Sequence, residues 1–228
     1  MKTRDLWILL TYVGIQFSSK FGVNILLHTN LFEGMDKNAA RTEAFAIWTC
    51  FSFITGMIIV IFLLKKPFFE GLKTLNGHSL RSILGWGFIG YLLALFTQVI
   101  CNLILIFAFH IERGSENTHQ IIVLAKLNPA FIVIPSLIAP ILEEIIFRGI
   151  LFKRLSSKLP FVVSALISSI IFAYLHGDIP FFLSYLAIGF LFCYLYKRTN
   201  SLLVPIITHM LMNTSVVLAQ LKLLSFIH

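Results

Sequence analysis

Seven apolar stretches separated by short polar connectors constrain this chain more than any other feature. They run near Asp5–Leu27, Ala44–Leu64, Ile83–Phe109, Pro129–Leu151, Pro160–Tyr174, Pro180–Tyr196 and Leu202–Leu223. A hydrocarbon core of about 30 Å needs about 20 helical residues, a length the first four stretches meet. The fifth and sixth are shorter and are parted only by residues 175–179, which predicts a tight hairpin with its turn tucked into the protein. Backbone polar groups in lipid must be satisfied within the segment, so such stretches fold as helices. The expected fold is therefore all-α: a polytopic membrane bundle of about seven transmembrane helices enclosing a polar chamber. Residues 1–228 form a single membrane domain, with 1–109 as peripheral N-terminal helices and 128–223 as the core helices.

Composition agrees. Only 12% of residues are charged and the mean hydropathy is +0.90, whereas soluble domains carry about 25% charge. Cys50, Cys101 and Cys193 are scattered inside apolar runs, which suits small hydrophobes in a packed interior and neither a disulfide framework nor a metal cluster. The net charge of +8 is spread between spans. Anionic lipid headgroups account for that distribution, and a nucleic-acid partner is not expected. The first span follows a short basic start but has no small-residue cleavage site, so it reads as an uncleaved membrane helix. Lys2, Arg4, Lys65, Lys66, Lys73, Arg81, Lys153, Arg154, Lys158, Lys197 and Arg198 fall in one set of connectors. The alternate set holds only Lys37, Arg41, Arg113, Lys126 and Lys222. This asymmetry predicts a multi-pass cell-membrane protein with a cytoplasmic N-terminus and an extracellular C-terminus.

Against this background the charges of the fourth span stand out. Glu143, Glu144 and Arg148 lie in an otherwise apolar run, and each costs about 2.5–3.5 kcal/mol to insert, so each marks a pairing or functional site. Glu144 and Arg148 are four apart and share a helical face, where they can neutralise one another. Glu143 is rotated about 100° from that face and needs another partner. Pro140 suggests a helix break near Ala139, with a fresh helix whose first turn would offer free amides to both glutamates. Upstream, Glu112–Asn128 reads as an interfacial amphipathic helix. Gly85, Gly87 and Gly90 of the third span read as close packing without a true GxxxG.

His176 borders the fifth span, while His209 and Asn213 lie one turn apart in the seventh. With Glu143 they are polar groups that stay unsatisfied unless they converge. Convergence offers a chemistry: a glutamate and a histidine deprotonate a water, and a histidine and an asparagine amide donate to the oxyanion formed when that water attacks a peptide carbonyl. The same atoms offer a rival, a zinc site of Glu143, His176 and His209 with an open position for water. Zinc would require each histidine to donate its other N–H to an acceptor, and Thr208 and Asp178 are the nearby sequence candidates. No metal is therefore favoured, with zinc the possible cofactor. A noncatalytic polar network, as in a bacteriocin self-immunity protein, and a proton-coupled transporter are the other readings. By helical rise His176 falls about 24 Å from the start of its span and Glu143 about 16 Å from Arg154, so convergence demands a tilted or displaced fifth helix.

Ala139–Gly149 contains Glu143, Glu144 and Arg148 at EExxxR spacing, Phe172 and His176 form FxxxH, and His209 and Asn213 form HxxxN. In order and spacing these motifs resemble the CPBP family of intramembrane proteases, also called Abi proteins, which includes CAAX-processing enzymes. The likeness covers about residues 128–213. It implies an intramembrane endopeptidase acting on a membrane-associated peptide or protein, with a chamber open to the cytoplasm. It further implies Glu143 and His176 as water activators, His209 and Asn213 as the oxyanion hole, and Glu144, Arg148 and Phe172 as support. Relatives process prenylated C-termini or take part in bacteriocin maturation and immunity, and many are labelled metalloproteases.

Overall fold

The computed structural model describes residues 3–64, 79–111 and 114–225. Lys2, Lys65, Lys66, Lys73, Glu112 and Arg113, which enter the charge and amphipathicity arguments, lie outside the described residues. The helices are α1 (Thr3–Leu27), α2 (Lys37–Leu63), α3 (Leu80–Phe109), α4 (Glu116–Leu127), the composite α5 (Pro129–Leu155), α6 (Phe161–Leu175), α7 (Phe182–Thr199) and α8 (Leu203–Ser225). Among the described residues, six of these are long and apolar enough to cross a membrane. α6 has 15 residues, about 22 Å of rise, and is shorter than a full crossing. The architecture is an all-α polytopic bundle.

Local chemistry sets the helix ends. Asp36 caps α2 by accepting from the Asn38 and Ala39 amides, Ser79 caps α3, Ser115 caps α4 and Asn128 caps the first turn of α5. α3 and α7 end on left-handed residues, His110 (φ 55) and Asn200 (φ 49), a C-terminal position that asparagine tolerates.

α5 is the axis of the molecule. Within its most apolar stretch 61% is buried, against 17–39% for the other crossing helices, so it alone can hold charged groups away from lipid. One core joins α1, α2, α5 and α6 through Ile8, Val60, Leu142, Ile146, Phe147 and Phe172. A second joins α3, α7 and α8 through Ile83, Ala94, Phe192, Leu195, Val204 and Met212. Outward residues such as Phe21, Phe62, Phe96 and Phe107 are exposed, as a lipid-facing surface requires.

The expected break at Pro140 does not occur. α5 runs on through π-helical turns at Ile134–Ile138 and Ile145–Phe152 that flank a short α segment, Ala139–Glu144. In the first π turn the Ala139 N–H bonds the Ile134 carbonyl, five residues back. Pro140 would be the next donor, to Pro135, and has no N–H. The wider turn absorbs the proline, and the freed Pro135 carbonyl accepts from Asn213 Nδ2 at 2.9 Å. Glu143 and Glu144 consequently sit mid-helix and not on a free helix N-terminus.

The two ends of the bundle differ. Arg154 is paired with Asp5 and Arg198 lies over the Trp86 ring at one end. At the other, the tight turn after α6 carries Gly177 (φ +68), and buried Asp178 accepts from Ser115 Oγ at 2.7 Å and from the Asn117 amide at 3.4 Å. The α6–α7 turn is thus tucked beneath α4, as its brevity predicted.

α1 and α2 pack antiparallel, Gly22 against Trp48 and Gly56 against Ile15, whereas α3 and α8 run parallel, Gly87 against Ile207 and Gly90 against Thr208. Gly85 faces open space, so it takes no part in this packing. A Cβ at Gly90 would lie 2.7 Å from Leu195 Cδ1. Gly90→Val is therefore expected to destabilise the bundle by about 1–3 kcal/mol, while Gly85→Ala leaves it unchanged or gains about 0.5–1 kcal/mol. Thermal unfolding of the two variants in detergent checks the contrast, and equal behaviour would refute the parallel packing.

Candidate active site

The site is built where α5, α6, α7 and α8 meet. Glu144 and Arg148 are fully buried and joined at 2.9 Å, as their four-residue spacing predicted. Arg148 also donates to the Gly189 carbonyl at 2.9 Å. Its guanidinium lies 4.8 Å from the Phe172 ring centroid, 5.0 Å from that of Phe192 and 5.8 Å from that of Phe147, an aromatic box that suits a weakly hydrated cation. The same Glu144 Oε1 lies 2.9 Å from His209 Nδ1. A carboxylate there calls for a proton on Nδ1, which leaves Nε2 to face the second glutamate.

That glutamate is Glu143, whose Oε2 is 3.8 Å from His209 Nε2, beyond direct hydrogen bonding. Its Oε1 accepts from Tyr12 Oη at 3.3 Å, and Tyr12 accepts from Gln16 Nε2 at 2.8 Å. The leftover acid has thus found a histidine and a tyrosine. Tyr12 is buried, with its ring edge-on to Phe147 at 5.9 Å. Sequence reasoning missed Tyr12 and Gln16; their four-residue spacing within an apolar span was the available signal.

Phe172 holds the centre. Its ring lies 5.2 Å from that of Phe147, 4.5 Å from the His176 ring and 6.1 Å from the His209 ring. Phe172, four residues before His176, thus packs against both histidine rings, and His176 lies about one turn further along α6. His176 Nδ1 is 2.8 Å from the Phe172 carbonyl, and its ring stacks on Tyr185 at 4.1 Å. Tyr185 is anchored by Ser115 and Asn117.

His176, His209 and Asn213 line one cavity of about 450 Å³ together with Phe172 and Tyr185. Among the described residues no hydrogen bond or ion pair joins Glu143 to His176. The structure thus brings Glu143, Glu144, Arg148 and His209 into one cluster and sets His176 and Asn213 on the adjoining wall.

Zinc needs three ligands around one point, and among the described residues no group of three or more His, Cys, Asp or Glu is so arranged. The expected shortage of imidazole partners is corrected, however. Thr208 donates to the Gly87 carbonyl and Asp178 serves Ser115, but Glu144 and the Phe172 carbonyl take the two Nδ1 positions. The outer partners suit zinc ligands; the ligand grouping does not.

A helical membrane bundle in which two adjacent buried glutamates back a histidine on a cavity wall fits an intramembrane hydrolase, and comparison with known proteins agrees. Residues 125–215 match the family model described as Type II CAAX prenyl endopeptidase Rce1-like. The chain is 37% identical to YdiL of Bacillus subtilis (strain 168) over 222 residues, 97% of this chain and 91% of that protein. It is 35% identical over 173 residues to the membrane-embedded CAAX protease MroQ of Staphylococcus aureus (strain USA300), covering 73% and 69% of the two chains. No solved structure matches. The chain belongs to the CPBP (Abi) family of CAAX-protease-like intramembrane endopeptidases.

Removing Arg148 takes the guanidinium from buried Glu144 and leaves it His209 as its remaining partner, so Arg148→Met is expected to cost about 3–5 kcal/mol, with part recovered by adding Glu144→Gln. Unfolding curves of the single and double variants in detergent test this; a single variant as stable as the native protein would refute the pairing.

Proposed function

We propose that this endopeptidase hydrolyses a peptide bond of a membrane-associated peptide or protein with water activated by Glu143 and His176, while His209 and Asn213 stabilise the oxyanion. The observation that carries this reading is the setting of His209, a residue of the cavity wall: Nδ1 is tied to Glu144, and Nε2 lies 3.8 Å from Glu143. With protons on both ring nitrogens, His209 can donate from Nδ1 to Glu144 and from Nε2 to a developing oxyanion.

His176 complements it. With Nδ1–H on the Phe172 carbonyl, the neutral ring keeps its lone pair on Nε2 and can accept a hydrogen from the attacking water. Glu143 takes the proton as the water oxygen bonds the carbonyl carbon, then returns it to the leaving nitrogen as the C–N bond breaks. Asn213 has two amide hydrogens; one serves Pro135 and the other is left for the oxyanion. Glu144, Arg148 and Phe172 support these groups. Residues 128–223 would form the catalytic core and 1–109 the peripheral helices, with Tyr12 orienting Glu143 from their side.

Glu143→Gln is expected to abolish cleavage of lipid-anchored peptides in proteoliposomes with an unfolding curve close to native, and Asn213→Ala to lower kcat by about 10²–10³-fold while costing about 1–3 kcal/mol of stability through the Pro135 carbonyl it frees. Normal cleavage in both variants would reject the assignment. Elemental analysis and activity after exhaustive chelation test the metal-free mechanism, which stoichiometric zinc and activity restored by zinc would overturn.

Orientation has a consequence. The cavity is lined by Asn102, Ser115, Asn117, His176 and Gln220, all in the half of the bundle away from Arg4, Arg81, Arg154 and Arg198. A cytoplasmic N-terminus, the proposal that the basic connectors support, therefore turns the chamber to the outer face, contrary to the cytoplasmic opening that family resemblance implied. Single cysteines at Ser115 and Ser157 in a cysteine-free background are expected to react with an impermeant maleimide from outside and from inside, respectively; the opposite pattern reverses the orientation.

A further inference from the structure

Polar side chains in the membrane helices mostly satisfy themselves locally. Thr11, Thr97 and Thr199 donate to the carbonyls four residues back, Asn24 donates to Lys20, and Gln16 donates to Tyr12. Three carboxamides on the cavity wall do not: Gln98 and Asn102 of α3 and Gln220 of α8 make no hydrogen bond to another described residue. Gln98 and Asn102 are four apart and so share one face of α3.

The parallel register of the two helices, with Gly87 against Ile207 and Gly90 against Thr208, continues to place Gln98 level with residues near 216–218 and Asn102 level with Gln220. The three amides therefore form one strip. It begins next to the turn that carries Asn213, and Gln220 lies seven residues further, about 10 Å along the axis.

A carboxamide both donates and accepts, so a strip of them matches the alternating N–H and C=O groups of an extended backbone. At about 3.3 Å per residue, 10 Å corresponds to about three residues of extended chain. The rest of the lining is mixed, and its apolar members include Ile121, Ile188, Met212, Val216 and Val217. They offer contacts for the side chains that alternate away from the strip.

We propose that Gln98, Asn102 and Gln220 hold the main chain of the peptide substrate in extended form, leading about three residues with apolar side chains from the cavity mouth to Asn213. This rests on the endopeptidase reading of the site. It adds a recognition surface on α3 and the end of α8, outside the 125–215 region of the family match.

The probe is a library of lipid-anchored peptides with apolar or charged three-residue segments, presented to the full chain in nanodiscs, with retention and cleavage both read by mass spectrometry. Leucine replaces each amide without its hydrogen bonds and suits a membrane helix. The triple variant Gln98→Leu, Asn102→Leu, Gln220→Leu is expected to fold normally and to retain apolar-segment peptides at least tenfold less well. KM should rise while kcat on any cleaved peptide changes less than threefold. A second series with N-methylated backbone amides in the segment should lose retention by the native protein and show little further loss with the triple variant. Equal retention by native and triple variant overturns the proposal and means that the amides are hydrated by interfacial water. Glu143→Gln separates the two levels: it should lose cleavage and keep retention. Cleavage that survives Glu143→Gln overturns the reading of the site, whatever the retention data show.

Discussion

The buried ion cluster of Glu144, Arg148 and His209 is the constraint around which the bundle is arranged. Desolvating these groups costs several kcal/mol per ion unless every one finds partners. Their requirements explain neighbours that hydrophobicity alone would not select. Arg148 needs the Gly189 carbonyl, which brings α7 close, and its faces need rings, which brings Phe147, Phe172 and Phe192 together from three helices. Gly189 stands where a Cβ would meet Ser169 Cβ at 3.0 Å, so the close approach of α6 and α7 depends on its lack of a side chain. The cluster thus couples four helices and fixes the ring orientation of His209.

A second dependency runs through Pro140. Its missing N–H leaves the Pro135 carbonyl open, the π turn accommodates the ring, and Asn213 closes the gap from α8. The amide assigned to the oxyanion is therefore also a strut between α5 and α8. A residue with both duties links catalytic geometry to packing, and its replacement is read correctly only when stability and turnover are measured together.

The outer shell has its own logic. α1 is tied at its start by Asp5 to Arg154 and at its middle by Tyr12 to Glu143, so an N-terminal helix outside the family-matched region reaches the carboxylate proposed as the base. At the opposite end Asp178, Ser115, Asn117 and Tyr185 knit α4 over the α6–α7 turn and hold Tyr185 flat against His176. These two networks position Glu143 and His176 from different directions, although no bond joins the pair directly.

Span positions, the helical class, the Glu144–Arg148 pair and the candidate residues Glu143, His176, His209 and Asn213 were legible in the chain itself, because hydropathy and helical periodicity are local properties. The path of α5 past Pro140 was not, because sequence shows the missing N–H but not the π turn and the Asn213 amide that compensate for it. Rise along single helices could not show that the Phe172 ring packs against those of both His176 and His209. The place of Glu144 as the partner of both Arg148 and His209, the approach of Tyr12 to Glu143, and the end of the bundle at which the cavity lies were decided only in three dimensions. Each depends on contacts between residues far apart in the chain, and no local pattern encodes which faces of separate helices will meet.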